Sequence, residues 1–196
     1  IESAAPGLSL WHIAETFRAC PDELHRLLDT DSANLGVDSF AAESQVGRAL
    51  TGFIAAYGFR GIKEAELASP RWHEDPTFLF DTLKSYLASQ GDSVASLMER
   101  QKNTRLRAAR EVESRLNVVE MSIARHLLEM TRKYTRLRER MRARVIEVLG
   151  MFRKAALSAG VRLAGDDQAA FFLTMEEIRA YLTDRLRHPS MLIRER

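Results

Sequence analysis

The chemistry in this chain is concentrated in one short stretch, residues 57–76, where Arg60, Lys63, Glu64, Glu66 and Arg71 stand among two glycines and two prolines. Gly58 and Gly61 followed by Pro70 and Pro76 cannot carry a helix onward, although strongly helical sequence lies on both sides. Arginines at 60 and 71 can grip carboxylate or phosphate oxygens bidentately, and Lys63 adds a further cation. Glu64 or Glu66 can lock an arginine in place or accept a proton from a hydroxyl. Residue chemistry alone leaves two readings open. One is a binding loop for an oxyanion or hydroxyl, with Arg60, Lys63, Glu64 and Arg71 as its substrate-binding residues. The other is an internal ion-pair network that pins a corner between helices.

Elsewhere the chemistry is sparse. There is no Gly-rich phosphate loop, no H-E-x-x-H and no G-x-S-x-G, and the single Cys20 excludes an internal disulfide or a C-x-x-C site. No metal site and no bound cofactor are therefore expected in the chain itself. His12, His25, His73, His126 and His188 are scattered, and His126, beside the apolar stripe of a long helix, is expected to be a partly buried structural residue. Phe53, Met98, Met121, Met130 and Met141 are expected in the core, with lining of a ligand cavity as the alternative. The basic run Arg132, Lys133, Arg136, Arg138, Arg140, Arg142 and Arg144 spreads around its helix with little aromatic interleaving. A net charge of +2 adds no case for nucleic acid, so the run reads as a solvated or docking face.

Helices must position all this. A mixture of 45% hydrophobic and 29% charged residues over 196 positions suits a water-soluble globular chain with its own core. No apolar run approaches the roughly 18 residues of a membrane span and no signal sequence opens the chain, so no membrane is expected and a cytoplasmic setting fits. The absence of an initial Met suggests a piece of something longer. Apolar periodicity predicts helices over 8–20 with Ser9 as N-cap, 22–29 opened by Pro21, 38–57 stopped by Gly58, and 76–89 ended by Gln90-Gly91-Asp92. Residues 30–37 read as loop.

From 93 onward no proline intervenes before Pro189, and a stripe runs through Leu116, Val119, Ile123, Leu127, Met130, Tyr134, Leu137, Met141, Val145, Val148 and Phe152 at helical spacing. That pattern predicts a helix with this side buried against neighbours. One helix over 93–163 would be about 100 Å long at 1.5 Å per residue, so a break is expected, with the stripe weakest over 101–107. Thr174 and Glu177 have capping-box spacing ahead of a last helix. The fold class is all-α, with several short helices and two or more long amphipathic ones.

The loop resembles a segment of the enzymes related to phosphoenolpyruvate synthase and rifampicin phosphotransferase, of the type Y-G-H-R-G-P-x-E-x-x-L-x-x-P-R-W-x-E-D-P. Tyr57, Gly58, Arg60, Gly61, Glu64, Leu67, Ala68, Pro70, Arg71, Trp72, Glu74, Asp75 and Pro76 match it. Phe171-Phe172-Leu173-Thr174 with Glu176-Glu177-Ile178-Arg179 is similar to the family's downstream F-F-L-T-x-x-E-L. Phe59 departs from the usual His, and Ile62-Lys63 from Pro-Gly.

The resemblance implies a multidomain phosphotransferase in which an ATP-grasp domain, using ATP and Mg, charges a histidine on a swivelling domain. That histidine then phosphorylates an acceptor hydroxyl, as in antibiotic resistance by drug phosphorylation. Residues 1–184 would be its all-helical acceptor-binding domain, and 185–196 a basic linker toward the phosphohistidine domain. The implied partners are those two domains of the same polypeptide and a hydrophobic, hydroxylated small molecule. The chain itself has no phosphohistidine segment and no nucleotide site, so no catalytic residue is assigned to it. The competing reading is a non-catalytic helical interaction module that docks a protein, or, less in keeping with the charge pattern, nucleic acid.

Overall fold

A computed structural model describes residues 5–89 and 94–183, with the side chains at 94, 95, 97 and 182 excepted. The expected break at Gln90-Gly91-Asp92 and the basic tail 185–196 lie outside the described residues. The fold is all-α, with no strand among the described residues. The chain divides into two compact units: one holds the chain up to Tyr57 and Pro76–Arg142, the other Gly58–Asp75 and the chain from Ala143 onward.

The first unit is built on α1 (Ala5–Arg18), α2 (Pro21–Asp29), α3 (Gln45–Tyr57) and α4 (Thr77–Ala88), with short 3-10 turns at Ser32–Asn34 and Val37–Ser39. α1 packs on both α3 and α4. Leu10, Ile13, Ala14 and Phe17 of α1 meet Val46, Leu50 and Phe53 of α3 and Leu79, Phe80 and Leu83 of α4 in one buried core. Ser9 lies inside α1 and does not cap it. Pro21 opens α2 with Asp22 and Glu23 in the first turn, where a missing N–H costs nothing and acidic groups complement the helix dipole.

The helix expected from 38 starts only at Gln45. The Val37–Ser39 turn, closed by Gly36 N donating to Ser39 Oγ at 2.9 Å, delivers Phe40 to the core from extended chain. Ser44 then caps α3 by accepting from Gly47 N at 2.9 Å. A Cβ at Gly47 would strike the Ala41 carbonyl, so glycine is what lets residues 41–42 cross the first helical turn.

Two long helices follow, α5 (Val94–Arg115) and α6 (Val118–Ala164). The break falls at Leu116-Asn117, not over 101–107. Asn117 Oδ1 accepts from Val119 N and Glu120 N, both at 3.0 Å, and Glu120 Oε2 accepts from Asn117 N at 3.0 Å. This reciprocal cap satisfies amides that a new helix leaves free, which stabilises the restart. Asn117→Ala is expected to cost about 0.5–2 kcal/mol locally, read as faster hydrogen exchange of the Val119 and Glu120 amides.

The α6 stripe is not buried: Ile123, Leu127, Tyr134, Leu137, Met141, Val145, Val148 and Phe152 are exposed. Met98 and Met141, expected in the core, are exposed too, and so is His126. The buried face of α6 lies on another side, at Ile146, Arg153, Gly160 and Leu163, and belongs to the second unit. There Gly160 lets the helix approach the Asp166 and Asp167 carbonyls, the first of which a Cβ would meet at 2.7 Å. Gly165, at φ 74°, ends α6 in the left-handed conformation. A 3-10 turn at Asp167–Phe172 leads into α7 (Met175–Leu182), which carries the expected capping box. Thr174 N donates to Glu177 Oε2 at 2.7 Å, and Glu177 N donates to Thr174 Oγ1 at 3.2 Å.

Candidate functional site

The loop 58–75 is a folded body held from several sides. Its two ends are laced together by Trp72 N donating to Arg60 O at 2.7 Å and His73 N to Gly58 O at 3.1 Å. The His73 ring adds Nδ1 against the same Gly58 carbonyl at 2.7 Å. Gly61 allows this closeness, because a Cβ there would sit 2.7 Å from the Pro70 carbonyl oxygen.

Of the residues expected to bind substrate, Lys63 is exposed and Arg60 and Glu64 are half-buried. Arg60 Nε donates to Glu64 Oε1 at 2.7 Å, and the two side chains keep 20% and 12% of their surface in water. The pair is thus fixed yet reachable, with the short contact of a charge-assisted bond. Lys63 is well exposed and lies 3.6 Å from Glu66, a separation at which a surface pair contributes little. Ile62 beside it is exposed as well.

Arg71, expected among the presented residues, is enclosed: none of it is accessible. Its Nη1 donates to Glu64 O at 2.9 Å and its Nη2 to Glu66 O at 3.5 Å, while Nε has no hydrogen-bond partner among the described residues. Burial holds its guanidinium below the usual arginine range, and nearby Arg153 pushes the same way, whereas Glu74 and Glu64 oppose the shift. At neutral pH it stays cationic. Its position under the carbonyls of 64 and 66 shapes the backbone that carries Glu64.

Arg153, a residue that sequence reasoning missed, closes the arrangement. From α6 its Nε reaches both Glu74 oxygens, at 3.1 and 2.7 Å, and its Nη1 donates to Leu67 O at 2.7 Å. The guanidinium lies 5.4 Å from the Phe171 ring centroid, within cation–π range. Glu74 Oε2 in turn accepts from Arg71 N at 3.0 Å. In the structure Arg153 falls seven residues from both Ile146 and Gly160, on the buried face of α6, a side that the apolar stripe of the sequence did not mark.

In the first unit, an open groove of about 560 Å³ lies at the α5–α6 junction, lined by Leu116, Val118 and Met121 with Asn117, Ser122 and the Glu113–Arg125 pair at 4.0 Å. Met121 is thus the one expected cavity-lining methionine found against that groove. Among the described residues no cluster of three or more His, Cys, Asp or Glu could hold a metal, and no helix is long and apolar enough to cross a membrane.

A family model described as the fourth domain of rifampicin phosphotransferase matches residues 1–139. The match takes in the whole loop and stops short of Arg153 and of the Phe171-Phe172-Leu173-Thr174 segment. The chain is also similar to the prodigiosin synthesizing transferase PigC of Serratia marcescens, at 40% identity over 47 residues, which are 24% of this chain and 5% of that protein.

Proposed function

Because the chain belongs to the rifampicin phosphotransferase fourth-domain family, we propose that it is the acceptor-binding helical part of a multidomain, ATP-dependent phosphotransferase. The remaining domains, an ATP-grasp domain using ATP and Mg and a swivelling phosphohistidine domain, lie on the same polypeptide in this reading, in a cytoplasmic setting. The acceptor is a hydrophobic, hydroxylated small molecule, an antibiotic being one such compound.

The single observation that carries the proposal is the Arg60–Glu64 pair, bonded at 2.7 Å and still partly open to water. A guanidinium held by a carboxylate at Nε has further N–H groups with which to donate to the oxygens of a phosphoryl group or an acceptor. Glu64 holds that orientation, and its carboxylate is the group placed to receive a hydroxyl proton. Lys63 adds positive charge at the rim, exposed Ile62 offers apolar contact, and Arg71 supports the loop from within. Phe59 supplies no imidazole, so in this chain proton handling falls to Glu64.

The test uses the full-length phosphotransferase carrying Arg60→Ala or Glu64→Gln. Loss of a charge-assisted contact of about 1.5–3 kcal/mol predicts roughly 10- to 150-fold slower acceptor phosphorylation, with formation of the phosphohistidine from ATP unchanged. Wild-type transfer in both variants refutes the roles given to these residues.

The exposed stripe of α6 favours a second reading, a helical interaction module for a partner protein. Under it, the Arg60 and Glu64 variants leave transfer intact, and charge reversal at Arg132 and Arg136 changes the assembly of the full-length protein.

A further inference from the structure

The Arg60–Glu64 pair is the outer end of a chain of contacts that begins on α6. Arg153 holds the Glu74 carboxylate through both oxygens, and Glu74 holds the Arg71 amide. Arg71 spans the loop interior to the Glu64 carbonyl, and the Glu64 carboxylate fixes Arg60 Nε. A second arm runs from Arg153 to the Leu67 carbonyl. Every joint is a hydrogen bond to or from a charged side chain, and such bonds are both shorter and more directional than neutral ones. Arg153 and Arg71 are also the two buried charged residues among the described residues. A cation at either place is costly unless paired, and an ion pair is no better than an apolar filler for stability alone. Two buried arginines lined up behind one half-buried pair therefore point to orientation.

We propose that Arg153 is a positioning residue for Arg60: through Glu74, Arg71 and Glu64 it sets the direction of the guanidinium that meets phosphoryl or acceptor oxygens. Arg153 touches no substrate. Lysine in its place keeps the charge, yet cannot span both Glu74 oxygens and the Leu67 carbonyl in the same plane. The functional half of this inference rests on the reading in the previous subsection; the structural half does not.

Two measurements separate them. In the nitrogen-15-labelled 196-residue chain, the Arg60 Nε–H is expected to exchange slowly because Glu64 holds it. Arg153→Lys and Glu74→Gln should each speed that exchange at least tenfold, toward the rate in Glu64→Gln, while Trp72 fluorescence keeps its native position in urea-free buffer. Two substitutions are used so that failure of one to fold leaves the other to decide. In the full-length phosphotransferase, Arg153→Lys should slow acceptor phosphorylation about tenfold through kcat. Combined with Arg60→Ala, it should add nothing to the loss caused by Arg60→Ala alone.

Unchanged Arg60 Nε–H exchange in the folded variants overturns the proposal, and so does a multiplicative loss in the double variant. Faster exchange with unaltered transfer in every variant, Arg60→Ala included, upholds the positioning and overturns the phosphotransfer reading instead.

Discussion

Arg153→Ala is expected to destabilise the second unit by about 3–5 kcal/mol. The side chain is 4% exposed, and its loss strands the Glu74 carboxylate and the Leu67 carbonyl while leaving a cavity beside Phe171. An unpaired group in low dielectric carries its full desolvation cost. Two features pull the value toward the lower end. Glu74 keeps 22% of its side-chain surface in water, and Arg71 is relieved of a like charge that disfavours its own ionised form. The paired replacement Arg153→Met with Glu74→Leu should recover a large part of the loss, since it leaves no orphaned charge. The chain has two tryptophans, Trp11 in α1 of the first unit and Trp72 in the loop. Urea unfolding followed by Trp72 in a Trp11→Phe background therefore reads the second unit. A loss under about 1 kcal/mol, the range of an exposed pair, would mean that Arg153 does not hold the loop.

Phe80→Ala should cost the first unit a similar amount, about 3–5 kcal/mol. Phe80 is wholly inaccessible, and its ring sits 6.0 Å from that of Phe40, which meets Phe17 edge-on at 5.2 Å. Truncation removes the α4 end of the aromatic series that runs through Phe40 to α1 and leaves a hole that the surrounding helices cannot easily close. Phe80→Leu keeps most of the volume and should cost less than about 1.5 kcal/mol. Trp11, with Trp72 replaced by Phe, reports the transition. Equal stability of the alanine and leucine forms would mean that the aromatic cluster is not what fixes α4.

Local chemistry was legible in the sequence where it is settled within a few residues. Pro21 marks the start of α2, the Thr174–Glu177 box starts α7, and the four-residue spacing of Arg60 and Glu64 is realised as an ion pair. Asn117 and Glu120 carry the same kind of signal, yet the unbroken apolar stripe across them masked it. Periodicity shows that a segment is helical and which side is apolar. It does not show whether the chain supplies anything to cover that side, and for α6 the covered face proved to be a different one. Arg71 and Arg153 were hidden for another reason. Arginine is normally at the surface, and only the fold reveals which guanidiniums find enough carbonyl and carboxylate oxygens to go inside.

The loop and its anchor are far apart along the polypeptide: Glu74 and Arg153 are separated by 79 residues, Leu67 and Arg153 by 86. Closing so wide an interval carries an entropic cost that nearby helix pairs avoid. At ribosomal speeds of about 5–20 residues per second, residues 58–75 are synthesised roughly 4–19 s before their anchoring arginine. The α1–α4 core can assemble in that interval from contacts already available, whereas the loop acquires its shape last, once the far end of α6 has been synthesised.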